Sequence, residues 1–177
     1  MKRMAVLLAV LGLSASSVSP GATFNTKAVV YVDCGVSVAS AVKIGDDKYI
    51  TAAHVVDHLP CYVNGVQIKD VEVFPESDFA TFRGPKSEIK AKIACRKFVP
   101  GEEYLALGYA NGAPWLTPEP WIASKFQFGY QQAFSGEAIP GMSGGAVIDD
   151  NGKVRGIVNQ RRPARSLSLR DTKICRK

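Results

Sequence analysis

The sequence predicts an all-β protein, and three observations carry that prediction. Its apolar residues gather in short runs rich in β-branched and aromatic side chains, and turn signals separate the runs. No stretch sustains the period-3.6 spacing of an amphipathic helix. Of the 177 residues, 46% are apolar, with glycine and proline scattered throughout, which fits a globular unit and excludes a disordered chain. No internal repeat or low-complexity block is visible.

The elements follow in order. Lys2 and Arg3 precede the apolar run Met4 to Leu13, and Ser14-Ala15-Ser16-Ser17 follows it. This is the layout of a secretory signal peptide, with cleavage expected between Ala15 and Ala22, so residues 1–22 are set aside from the fold. The run is too short to span a bilayer, and no later apolar stretch reaches membrane length. The expected location is therefore secreted or periplasmic, with no transmembrane anchor in the mature form. No cysteine follows the run closely, which argues against a lipid anchor.

Strands are expected over Lys27 to Val32, Val36 to Ile44 and Lys48 to Thr51, with Gly45-Asp46-Asp47 as a hairpin. His54 to Leu59 is expected to make one helical turn before Pro60. Cys61 to Ile68, Val71 to Phe74 and Phe79 to Phe82 continue the strands, and Asn64-Gly65 is a strong turn signal. That is roughly six strands, enough for a small closed barrel. The polar stretch Arg83 to Glu88, containing Gly84-Pro85, marks a boundary between halves. Further strands are expected over Ile89 to Cys95, Glu103 to Tyr109, Pro120 to Phe128 and Gln131 to Phe134. Gly145 to Asp149 and Lys153 to Asn159 complete the set, joined by a turn at Asp150-Asn151-Gly152.

The four cysteines, Cys34, Cys61, Cys95 and Cys175, show no Cys-x-x-Cys spacing, so zinc and redox motifs are poor readings. An exported chain makes disulfides the better one, and three pairings are open. No phosphate loop or metal-ligand cluster appears, so neither cofactor nor metal is expected.

The chemistry centres on Ala138-Ile139-Pro140-Gly141-Met142-Ser143-Gly144-Gly145-Ala146. A nucleophilic serine needs a tight turn, with backbone N–H groups free to face a developing oxyanion. Gly141 can adopt the unusual backbone angles of such a turn, and Gly144 and Gly145 permit close approach of another backbone. Taken alone, the cluster reads equally as an ordinary turn. Upstream, however, lie Thr51-Ala52-Ala53-His54 and then Ser77-Asp78-Phe79-Ala80. A base, a residue to orient it and a nucleophile thus occur in the order His, Asp, Ser.

On these three motifs, spread over residues 51 to 145, the chain resembles the chymotrypsin/trypsin-like serine peptidases, in particular the compact bacterial and viral members. The resemblance implies two small antiparallel β-barrels with the active site in the cleft between them. Residues 23–86 would form the barrel carrying His54 and Asp78, and 87–160 the barrel carrying Ser143, followed by a basic tail over 161–177. It implies that Ser143 attacks a peptide carbonyl, that His54 takes its proton, and that Asp78 fixes the imidazole tautomer. The N–H groups of Gly141 and Ser143 would form the oxyanion hole. Family members often bridge the loop around the histidine, which implies Cys34–Cys61 and leaves Cys95–Cys175. His58, the other histidine, is expected to be exposed, and rival aspartates (Asp46, Asp47, Asp57, Asp70) lack the following apolar-Ala pair.

Two departures qualify the resemblance. Met142 stands where trypsin-like zymogens place the aspartate that pairs with a new N-terminus, and no Ile-Val-Gly-Gly-like start follows the leader, so that activation is excluded. The residue six places before the serine, Glu137, would lie at the base of the specificity pocket if loop lengths match, with Gly156 and Val158 beside it. Its bland alternative is a surface glutamate. Gly156 to Asn159 is expected to offer the strand edge that pairs with substrate.

Residues 161–177 hold seven basic side chains and one acidic, and the whole chain carries +6. This points either to a solvated tail held by Cys175 or to attachment to an anionic surface; export argues against nucleic acid. The partner expected is a polypeptide substrate, and the chain is expected to act as a monomer. A different class of reading is a peptidase-like binding protein that has lost catalysis, against which the complete His, Asp and Ser set argues. An α/β-hydrolase esterase is set aside because no histidine follows Ser143.

Overall fold

Short strands separated by tight turns can bury their apolar faces only by curling sheets around them, and the chain does this twice. A computed structural model describes residues 23–160 and 163–176; the expected leader, Arg161, Arg162 and Lys177 lie outside them. The first sheet contains β1 (Val29–Asp33), β2 (Val38–Lys43), β3 (Lys48–Thr51), β4 (Tyr62–Val63), β5 (Val66–Gln67), β6 (Lys69–Phe74) and β7 (Phe79–Arg83). Its antiparallel order is β5-β4-β1-β2-β3-β7-β6, curled into a half-barrel. The second contains β8 (Glu103–Ala110), β9 (Ala113–Leu116), β10 (Trp121–Phe128), β11 (Gln131–Phe134), β12 (Ala146–Ile148), β13 (Val154–Gln160) and β14 (Arg165–Ser168). Its order is β10-β11-β14-β13-β12-β8-β9, and β10 also pairs with β8, opposing Trp121 to Tyr104, so this sheet closes. Closure removes the open edges that would otherwise invite aggregation.

The turns sit where their residues demand. Asn64 and Gly65 both take positive φ between β4 and β5, the conformation of a two-residue hairpin. Three apolar clusters hold the fold. Val32, Tyr49, Val63 and Phe82 fill the first barrel, and Phe98, Tyr104, Phe134 and Val158 the second. Val42, Ile50 and Phe79 meet Leu107, Ile157 and Leu167 in a shared cluster that joins them. Two disulfides, Cys34–Cys61 and Cys95–Cys175, tie the first barrel and the chain end respectively.

Three expectations need correction. Ile89 to Cys95 does not form a strand; only Ile93 makes a bridge, to Val154. The segment serves instead as a connector, with Ala91 N–H donating to Lys43 O and Ala94 N–H to Val154 O. Arg165–Ser168, read as part of a tail, is strand β14, inserted between β11 and β13 with Leu167 fully buried. Its serines can be buried because each hydroxyl finds a carbonyl, Ser166 on Ile157 and Ser168 on Arg96. As a consequence β13 is paired on both sides, to β12 and β14, so Gly156 to Val158 is interior and not an edge. Strand β9 was also not foreseen. Among the described residues no helix is long and apolar enough to cross a membrane.

Candidate active site

Asp78 follows the single 3₁₀ turn Pro75–Ser77 and takes the left-handed conformation, φ 51° and ψ 51°. Aspartate tolerates this region better than most residues, and the placement turns its carboxylate back toward the end of β3. There the 3₁₀ turn Ala53–Val55 presents His54. The His54 Nδ1 lies 2.9 and 3.0 Å from the two Asp78 carboxylate oxygens, and His54 N–H donates to the same group at 3.0 Å. With Nδ1–H engaged, the neutral ring keeps Nε2 as its basic nitrogen.

The second barrel completes the aspartate's surroundings. Asn159, at the end of β13, donates its amide to Asp78 O at 2.7 Å and to Asp78 Oδ2 at 3.1 Å. Its own oxygen accepts from Leu167 N at 2.7 Å, so Asn159 is held by β14 as it holds Asp78. Burial pushes the Asp78 carboxyl up, but the hydrogen bonds and charge of His54, with Asn159 behind, outweigh it and keep the carboxyl below its ordinary value. The Asp78 hydrogen bond raises the His54 imidazole above its ordinary value, against burial, which acts to lower it.

The Ser143 turn is docked against β2 and β3. Ser40, fully buried in β2, donates its N–H to Ser143 O at 2.9 Å and its hydroxyl to Gly141 O at 2.8 Å. The same hydroxyl accepts from Tyr109 N at 2.8 Å, and Ser40 O accepts from the Thr51 hydroxyl at 2.8 Å. The serine turn is thereby tied to the strand that leads to His54. Gly141 has φ +95°, which only glycine adopts without strain. At Gly144 a Cβ would lie 2.0 Å from Thr51 Oγ1 and 2.1 Å from Ser40 O, so the turn can approach β2 this closely only with glycine. Among the described residues, no hydrogen-bond partner is found for the N–H of Gly141 or of Ser143. Met142 between them is fully buried, and its sulfur accepts from Ile139 N. A buried apolar side chain here leaves no carboxylate for a new N-terminus to pair with.

The expected specificity residues differ in their exposure. Gly136 O accepts from Ala164 N and Ala138 is buried, while Glu137 between them is exposed. It borders a surface depression of about 340 Å³ together with Trp115, Glu119, Trp121 and Ile139. Gly156 and Val158 are buried in the second barrel, Val158 in the cluster with Ala138 and Met142. His58 is exposed on the loop after His54. Ser40 and Asn159 were not foreseen as site residues. Ser40 lies between alanines within a strand and Asn159 near a strand end, and nothing in either neighbourhood signals a partner 69 to 101 residues away. Among the described residues no group of acidic, histidine or cysteine side chains could hold a metal.

Solved structures share this architecture. The human pathogenic astrovirus serine protease is 19% identical, with 89% of this chain and 97% of that one covered and a TM-score of 0.69. The active form of the M. tuberculosis Rv3671c protease is 20% identical over 91% of this chain and 89% of that chain, with a TM-score of 0.68. The serine endoprotease of Yersinia pestis is 18% identical, covers 80% of this chain and 58% of that one, and gives a TM-score of 0.69. No protein-family model and no curated relative matches the chain. Two antiparallel β-barrels, joined where the Ser143 turn meets β2 and Asn159 meets Asp78, therefore give this chain the fold of the chymotrypsin/trypsin-like serine peptidases.

Proposed function

We propose that the chain is a secreted or periplasmic serine endopeptidase acting on polypeptides. The observation that carries the reading is the Asp78 carboxylate, which holds His54 Nδ1 through both oxygens on the barrel whose strands β2 and β3 dock the serine turn and its positive-φ glycine. In the first step His54 Nε2 takes the Ser143 hydroxyl proton as Oγ bonds to the substrate carbonyl carbon. The carbonyl oxygen becomes an oxyanion that accepts hydrogen bonds from the N–H groups of Gly141 and Ser143. Collapse breaks the carbon–nitrogen bond, the imidazolium proton goes to the leaving amine, and an acyl-enzyme remains. Water, deprotonated by His54, then releases the acid and restores Ser143. Asp78 keeps the ring in the useful tautomer and stabilises the imidazolium, in line with the raised basicity of His54.

The test is intact-mass labelling of the purified mature protein with a fluorophosphonate probe, beside Ser143→Ala and His54→Ala. One adduct on the wild type and none on Ser143→Ala is expected, with His54→Ala labelled far more slowly. A folded, disulfide-intact wild type that takes no adduct would overturn the reading and leave a peptide-binding protein in its place.

A further inference from the structure

Strand β10 pairs with β8 only at Trp121 and Ile122; beyond Ala123 its outer edge has no strand partner among the described residues, while β11 on its inner side is paired to β14 up to Gln131. The register shifts between Ala123 and Gln127, a bulge of the kind that re-aims side chains. The buried Gln132 amide braces it by donating to the carbonyls of Ser124 and Phe126. Large apolar side chains are presented there to solvent: Phe126 is 63% exposed, Tyr130 50%, Phe128 45% and Ile122 45%. Ile122, Phe126, Phe128 and Pro163 line one apolar depression of about 400 Å³. A contiguous apolar surface at the end of a braced hairpin marks a contact site.

Cations flank the aromatic end of the patch, and Glu103 stands opposite Ile122 at its other end. Lys125 lies over the Phe126 ring, and the Arg165 guanidinium stacks on Phe128 at 3.6 Å. The Arg165 Nε is buried with no hydrogen-bond partner among the described residues. No acidic residue occurs between Trp121 and Gly136, or between Lys153 and Arg170. Aromatic rings at a hairpin end, flanked by cations, are the composition that settles in the headgroup layer of an anionic bilayer.

We propose that the β10–β11 hairpin is an interfacial anchor that seats the protein on an anionic lipid surface. Phe126, Phe128 and Tyr130 enter the headgroup region, and Lys125 and Arg165 meet lipid phosphates. The inference is independent of the proteolytic reading.

The experiment is flotation of the purified mature chain with vesicles of phosphatidylcholine alone or mixed with phosphatidylglycerol. Wild type is expected to float with the mixed vesicles and to be released by salt. Replacing Phe126, Phe128 and Tyr130 together by serine lowers the partition coefficient by at least about tenfold. Lys125→Gln lowers it by about fivefold, the worth of one cation near such a surface. Near-UV circular dichroism checks the fold of each variant. Should the triple variant unfold, Phe126→Ser and Lys125→Gln, both at exposed positions, carry the comparison. Absence of flotation with mixed vesicles, or unchanged flotation of these variants, overturns the anchor. A concentration-dependent dimer abolished by Phe126→Ser without any flotation overturns it in favour of a second copy of the chain. Loss of peptide turnover in the variants without any flotation overturns it in favour of a polypeptide groove.

Discussion

Replacing Ser40 by alanine removes one oxygen and leaves two partners without theirs. The hydroxyl donates to Gly141 O and accepts from Tyr109 N, both at 2.8 Å, at a position with no solvent exposure. A buried group left unsatisfied costs about 1–3 kcal/mol, and because both partners are themselves only partly buried the lower half of that range applies to each. The expected loss is about 2–4 kcal/mol, or a fall in Tm of roughly 4–16 °C for a chain of this size. Urea unfolding with both disulfides intact measures it, and the m-value should not change. The same oxygen fixes the Gly141 carbonyl, in the peptide between the two whose N–H groups form the proposed oxyanion hole. Fluorophosphonate labelling should therefore slow by about tenfold or more, since one misplaced oxyanion donor costs at least that much. A destabilisation below about 0.5 kcal/mol, with labelling at the wild-type rate, would refute the claim that Ser40 holds the turn.

Two further outcomes are expected. Gly144→Ala forces a Cβ to 2.0 Å from Thr51 Oγ1 and 2.1 Å from Ser40 O at φ +81°, far inside van der Waals contact, so it should cost more than about 4 kcal/mol or prevent folding, read by urea unfolding or by yield of folded protein. Asp78→Asn removes the charge that raises His54, so the His54 titration followed by NMR should move to lower pH, and the labelling rate should fall. An unmoved His54 titration would contradict the pairing. The stability linkage has opposite signs for the two partners. The raised His54 contributes stability fully present below its unfolded value of about 6.5 and lost as pH rises through its folded value. The depressed Asp78 contributes stability present above about 3.9 and lost as pH falls through its folded value.

Much of the architecture is local chemistry and can be read without coordinates. Asn64-Gly65 and Asp150-Asn151-Gly152 announce their hairpins because few other residues take the required backbone angles, and β-branched runs between such turns have little choice but to be strands. His54 and Asp78 were recognisable from the short motifs that carry them, and the structure brings their side chains together. Other features depend on partners that the sequence cannot pair in advance. Arg165-Ser166-Leu167-Ser168 reads as polar tail, and becomes a core strand only because carbonyls of Ile157 and Arg96 await its hydroxyls. The Ile89 to Cys95 run has strand-like composition, yet a single bridge to Val154 is its only ladder contact among the described residues. Glu137 is exposed while Ala138 beside it is buried, which a count of six places back from Ser143 does not register.

The sequence by itself determined that the chain is all-β and which residues carry the proposed chemistry, because turn propensity and short motifs act over a few residues. Only the tertiary structure decided what holds that chemistry in place. Ser40 and Asn159 acquire their roles across separations of 101 and 81 residues, where a buried polar group is satisfied or not according to how the two barrels close on one another.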